Sequence, residues 1–211
     1  MITKTTDLHL PELDWEYFSK SYDGPAKNSA GLNVLLGFCE LSPRVTRSDE
    51  VAYICATVLH ECGLPMLPKK EWVDAPWNKG KTLWYAKGYD YPGDPAKGGK
   101  KHPNTGFLYI GMGYVQLTWY CNYLYQSKKL GIDLVNNPDQ ALIPSVSFKV
   151  LENFIFDGDG IGGKYKAHDF FRDNTSDFLN ARHLINGIDQ QGLIAAYAEE
   201  FHASIRFKEA A

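Results

Sequence analysis

The sequence predicts a mainly helical domain with one short β element near its middle. Three observations carry that reading. Apolar residues recur at helical spacing over several separate stretches. A single stretch, "FLYIGMGYVQLTW" at 107–119, is rich in β-formers. The 211 residues contain no internal repeat and no low-complexity linker, so one well-buried core over 1–211 suits them better than two.

Element by element, the first helix is expected from about Glu12 to Phe18. The second is expected from Ala30 to Leu41, where Leu32, Leu35, Leu36 and Cys39 share a face. In "VTRSDEVAYICATVLHE", Ser48 is a plausible N-cap with acids in the first turn. Val51, Ile54, Cys55, Val58, Leu59 and Cys62 then form one apolar stripe. At roughly 100° per residue, Glu61 falls about 80° off the middle of that stripe, at the border of core and solvent. The helix breaks at Gly63–Leu64–Pro65.

From Trp72 to Thr105 the chain is loaded with Gly, Pro, Lys and aromatic residues. A loop that long in a compact domain suits a groove wall or a lid. Gly111–Met112–Gly113 reads as a turn within the β element, and "YCNYLYQSKKLG" reads as a helix. Another helix is expected from about Ser145 to Phe156, ending at "DGDGIGG". Two more follow, at about Ser176–Ile185 and Asp189–Phe207.

Composition narrows the function. Apolar content of 44% and charged content of 22% are those of a globular protein. A formal charge of −3 provides no basic field, which argues against a nucleic-acid partner. Aromatic content of 14% suits either core packing or stacking on sugar faces. The start, "MITKTTDLHLPELDW", lacks the apolar run of a secretory signal, and no segment approaches a membrane span. The expectation is a cytoplasmic protein without membrane insertion, reaching any outside substrate only after release. Cys39, Cys55, Cys62 and Cys121 show no CxxC spacing, so reduced, buried thiols are expected rather than disulfides or zinc. No motif implies a metal, nucleotide or redox cofactor.

Glu61 and Glu71 stand astride the helix break. Glycosidic bonds are cut by such carboxyl pairs: one protonates the leaving oxygen while the other activates water or attacks the sugar carbon. An inverting pair stands roughly 6.5–9.5 Å apart to leave room for the water. Taken alone, the spacing is also compatible with two ordinary surface charges.

The surrounding blocks add to the pair. His60–Glu61, Met66–Leu67–Pro68, Glu71–Trp72, "GMGYVQLTWYCNY", "GIDLVNNPDQAL" and "DFLNARHLINGIDQQGLIAAYAEEF" follow in that order. From about 12 to 205 this string resembles glycoside hydrolase family 19, in its phage-endolysin and bacterial lysozyme-like branch. The resemblance implies a lysozyme-like α+β fold and a catalytic domain. It implies Glu61 as general acid, Glu71 as general base and Thr118 as the residue that holds the attacking water. Gln116, Asn122, Tyr123 and Asn186 would bind the sugars. Two positions depart from the family pattern: Met112 stands where an arginine is usual, and Cys62 where a threonine is usual. An altered or weakened enzyme is therefore more plausible than in a fully matching chain.

Other readings stand beside these roles. Asn186–Gly187 suits a helix C-terminus, and Gln116 and Thr118 suit ordinary strand positions. His60, opposite the apolar stripe, suits an orienting or structural role, and Arg182 suits pairing with an acid inside the fold. Trp72, Trp77, Trp84 and Trp119 suit stacking platforms or core equally. "HECGL" lacks the second histidine of a zinc helix, which sets a metallopeptidase aside. A cysteine amidase using Cys62 or Cys121 has no local signature.

The expected substrate is the β-1,4-linked N-acetylated sugar chain of peptidoglycan, cut with inversion by a monomer of endolysin or muramidase type. Chitin oligomers are the alternative, and a catalytically weakened glycan-binding relative is a further one.

Overall fold

A computed structural model describes residues 11–71, 109–160 and 163–209. The long 72–105 segment, with Trp72, Trp77 and Trp84, lies outside the described residues. Where described, the chain is mainly helical with a few two-residue strands, as the fold class predicts. It divides into two compact units, one of 1–60 with 154–211 and one of 61–153.

In the first unit, α1 (Trp15–Ser21) is capped by Asp14, whose carboxylate accepts from the Tyr17 N–H at 2.9 Å. Its start lies three residues beyond the expected one, at the residue this cap selects. Helix α2 (Ala30–Leu41) has the expected bounds and buries Leu32, Leu35, Leu36 and Cys39. Helix α3 (Ser48–Cys62) carries its first sixty-numbered residue, His60, at the end of this unit. The expected single stripe understates α3: Ala52, Tyr53, Ala56 and Thr57 are buried along with Val51, Ile54, Cys55 and Val58. A helix buried all round is a central core element, and small or apolar residues on every face permit it here.

A polar cluster fixes the N-terminal end of α3. The Asp49 carboxylate accepts from Arg47 Nε at 2.9 Å and Nη2 at 2.7 Å, and from the Ser176 hydroxyl at 2.7 Å. Burial works against the Asp49 charge, but the Arg47 and Ser176 bonds outweigh it and hold the carboxyl below its usual range. Glu50 caps the turn, accepting from the Thr46 and Arg47 backbone N–H groups. Burial pushes its carboxyl up.

The expected helix Ser176–Ile185 is absent. In its place, β3 (Phe171–Arg172) and β4 (Thr175–Ser176) form a hairpin, followed by a 3-10 turn at Asn180–Leu184. Asp173 takes φ +49° in the hairpin turn, and the polar run Asp173–Asn174 favours that tight reversal over helix. The short helix Ala167–Phe170 leads into it, and the last helix is Gln191–His202, shorter at both ends than expected. A bridge between Leu13 and Phe207 closes the unit.

In the second unit, β1 (Lys69–Lys70) pairs antiparallel with β2 (Met112–Gly113). Met112–Gly113 is thus strand rather than turn. The reversal comes one step later, at 114–116, before Met112 and Leu117 bridge. The next helix, α4 (Tyr120–Leu130), ends on Gly131 at φ +66°, a left-handed C-cap that glycine adopts without a Cβ clash. Pro138–Leu142 forms a 3-10 turn, and α5 (Pro144–Asp157) begins in this unit and ends in the other.

Candidate active site

Glu61, the first residue of the second unit, sits half-buried in the last turn of α3. Gly63 and Met66, both with φ above +60° or equal to it (+64° and +60°), turn the chain out of the helix, and the Met66 N–H donates to the Gly63 carbonyl at 2.8 Å. The apolar neighbours expected around the acid divide. Leu59 and Met66 are buried, whereas Leu64 is exposed.

Both flanks of the break are held by one short piece of chain, Gly111–Tyr114. On the Glu61 side, the Cys62 thiol faces the Gly113 and Tyr114 carbonyls at 3.7 and 3.8 Å. Burial pushes that thiol up to about 12, so it stays an S–H donor rather than a nucleophile. On the other side, Glu71 Oε2 accepts from the Gly111 N–H at 3.0 Å, and the Glu71 N–H donates to the Gly111 carbonyl at 2.7 Å.

Gln116 locks this arrangement. It holds φ +52°, a left-handed conformation uncommon for a non-glycine residue. Its Nε2 donates to the Lys69 carbonyl at 3.2 Å and to the Gly113 carbonyl at 3.0 Å. An amide nitrogen has two hydrogens, and both are engaged. Both Nε2 hydrogens thus go to the protein backbone, while Oε1 keeps acceptor capacity. Its Oε1 faces Gly111, where an added Cβ would stand 2.8 Å from that oxygen and 3.4 Å from Glu71 Oε2.

Thr118 follows, half-buried, its hydroxyl donating to the Gln116 carbonyl at 3.4 Å. The hydroxyl oxygen keeps acceptor capacity, so it can take a hydrogen bond from a water. Trp119 is also left-handed, at φ +72°, and its N–H donates to the Tyr109 carbonyl at 2.9 Å. Two such residues three positions apart, around Thr118, mark the kind of locally strained backbone that surrounding structure must enforce. Asn122 lies half-exposed in the first turn of α4.

Tyr123 does not fit its expected role. It is 0% exposed, and its hydroxyl donates to the Ile110 carbonyl at 2.9 Å. Burial, followed by the charges of Asp139 and Glu71, pushes its phenol well up, so it stays neutral. A side chain with no surface cannot touch a polymer; Tyr123 instead supports the residue before Gly111 from behind. Its position on the inner face of α4, set by helical rotation, is what the Asn–Tyr dipeptide concealed.

Other candidates resolve individually. Met112 is buried in β2 and contributes its backbone to both neighbouring segments. Asn186 belongs to the first unit, where it is exposed; its N–H bonds the Arg182 carbonyl at 3.0 Å and Gly187 follows at φ +62°. Arg182 is buried at 1% exposure, with Nε donating to the Asp189 backbone carbonyl at 2.9 Å. His60 is half-exposed. Cys39, Cys55 and Cys62 are buried, reduced thiols, but Cys121 is exposed, contrary to expectation. Among the described residues no cluster of three or more His, Cys, Asp or Glu could hold a metal ion, and no helix is long and apolar enough to cross a membrane.

Residue type does not signal the parts that Gly111 and Lys69 play at this site. Their contributions are main-chain groups and an absent side chain. The only available signal was a glycine one position before a buried strand pair.

The chain is 34% identical over 125 residues to "Endochitinase 1" of Theobroma cacao, covering 53% of this chain and 34% of that protein. It is 31% identical over 132 residues to "Endochitinase" of Persea americana (57% and 36%) and 33% identical over 118 to "Basic endochitinase" of Vitis vinifera (54% and 35%). It thus spans about a third of the length of these relatives, 34–36%. No solved structure matches the chain at a significant level. Residues 21–172 match the family described as chitinase class I, a stretch that includes Glu61, Glu71, Gln116, Thr118 and Asn122 but not Asn186. With most of its length matched, the chain belongs to glycoside hydrolase family 19, the chitinase class I family.

Proposed function

We propose that this chain is a glycosidase that hydrolyses β-1,4 bonds between N-acetylated amino sugars, with a chitin-type polymer as substrate. The observation that carries the proposal is the anchoring of the Glu61 and Glu71 segments on Gly111–Tyr114, within a chain of this family. The curated relatives are named endochitinases, which favours chitin over the peptidoglycan first expected. The match runs through parts of both units, which supports one catalytic domain.

In the proposed reaction Glu61 gives its proton to the glycosidic oxygen as the bond to the anomeric carbon breaks. Glu71 takes a proton from the water that attacks that carbon from the opposite face. The Gly111 N–H fixes the orientation of the Glu71 carboxylate, so the base needs little reorganisation as the water moves in. Thr118 accepts a hydrogen bond from the same water, and Asn122 offers its amide to a substrate acetamido or hydroxyl group. An inverting pair stands roughly 6.5–9.5 Å apart, with the attacking water between the two carboxyls.

The test is incubation of the purified protein with N-acetylglucosamine oligomers and, separately, with peptidoglycan. New reducing ends are identified by mass spectrometry and the anomer of the fresh product by NMR. The expected result is cleavage of the oligomers to the α-anomer, with Glu61→Gln lowering turnover by about 10²–10⁴-fold. Cleavage of peptidoglycan alone would return the substrate to the wall polymer. Unchanged turnover in Glu61→Gln would refute the acid assignment.

A further inference from the structure

We propose that Gln116 is a positioning residue for Glu71 rather than a sugar contact. The inference rests on the general-base role proposed above for Glu71. Gln116 Nε2 joins the Lys69 carbonyl of β1 to the Gly113 carbonyl of β2, at 3.2 and 3.0 Å. Two carbonyl neighbours fix which end of the amide is nitrogen and leave its oxygen facing Gly111. Gly111 is the residue that grips Glu71 through both backbone groups.

Without this clamp the pairing of β1 with β2 rests on very few ladder residues, because each strand has only two. Such a short pair is marginal alone. The clamp thus sets where β1 ends, and Glu71 is the next residue along. The left-handed φ of +52° at Gln116 is what turns its side chain back over the strand pair it has just left. The Gln116 carbonyl in turn receives the Thr118 hydroxyl, so one residue sets the position of both groups proposed to handle the attacking water.

A residue acting this way changes turnover rather than substrate affinity. Gln116→Gly removes the side chain while suiting the left-handed backbone. We expect its kcat on N-acetylglucosamine oligomers to fall about 10–100-fold, the scale of an ångström-sized misplacement, with KM within about threefold. Oligomer affinity measured by calorimetry in a Glu71→Gln background should likewise stay within about threefold on adding Gln116→Gly. A KM or Kd raised about tenfold with kcat kept, or no change in either, overturns the proposal.

The second measurement does not depend on activity. The Gly111 amide resonance follows protonation of Glu71 through their hydrogen bond, and this response should be present in the wild type and lost in Gln116→Gly. The same response in both proteins overturns the proposal even if the chain hydrolyses neither substrate. Gln116→Glu, which keeps the side-chain volume but cannot donate when ionised, serves if the glycine variant does not fold. It is held to the same kinetic and resonance outcomes.

Discussion

Glu71 and Gly111 grip each other twice, carboxylate to N–H at 3.0 Å and N–H to carbonyl at 2.7 Å. The grip requires that residue 111 have no side chain. A Cβ there would lie 2.8 Å from Gln116 Oε1 and 3.4 Å from Glu71 Oε2. Gly111→Ala should therefore keep the fold but displace Gln116, Glu71 or both. The expected loss of kcat on oligomers is about a hundredfold. Steady-state kinetics with circular dichroism as the folding control checks it.

The Asp49 cluster makes a pH prediction. The Asp49 carboxyl is held below its unfolded value, so its stabilising contribution is complete above the unfolded value, about 4. That contribution is lost as pH falls through the depressed folded value. Asp49→Asn should cost about 1–2 kcal/mol at pH 7, a figure reduced because Arg47 is 31% exposed. The difference between variant and wild type should shrink toward strong acid. Urea denaturation at a series of pH values checks it. A gap that stays constant down to strong acid would show that the cluster acts through shape rather than charge.

Thiol chemistry separates the cysteines. Cys121 is exposed, whereas Cys39, Cys55 and Cys62 are buried, and burial pushes the Cys62 thiol up to about 12. A mild alkylating reagent should modify Cys121 alone in the native protein and all of them after denaturation. Peptide mass spectrometry reads the result.

Thr57 lies fully buried on α3, and among the described residues its hydroxyl has no hydrogen-bond partner. An unsatisfied buried hydroxyl opposes folding, and valine has nearly the same shape without it. Thr57→Val should stabilise the protein by about 1 kcal/mol, read from thermal or urea unfolding.

The sequence displays the helices whose burial follows a single face. Ala30–Leu41 could be placed to the residue because Leu32, Leu35, Leu36 and Cys39 repeat cleanly. The stretch after Phe171 could not, because apolar spacing continues through Phe178 and Leu184 while the Asp173 turn diverts the backbone into a hairpin. At the site, side-chain types point to Glu61, Glu71 and Thr118 as chemically able groups. What fixes them is a set of carbonyls and N–H groups from Lys69, Gly111 and Gly113 that every sequence possesses. Tyr123 shows the converse: its residue type suits sugar recognition, but helical rotation turns it inward.

The buried Met112 bears on how such a chain can diverge. Its neighbours engage it through main-chain atoms, with Leu117 exchanging both backbone hydrogen bonds and Lys70 pairing alongside. The hydrogen bonding under the two acids thus runs through the backbone of residue 112, and its buried side chain has only to be apolar and to pack. Freedom ends at either side, because a Cβ at Gly113 would meet the Ser147 hydroxyl at 2.7 Å and the Ala141 carbonyl at 2.9 Å. Variation between those glycines is thus confined to side chains that fill the same buried space, and a single methyl group added next door would force its neighbours to move.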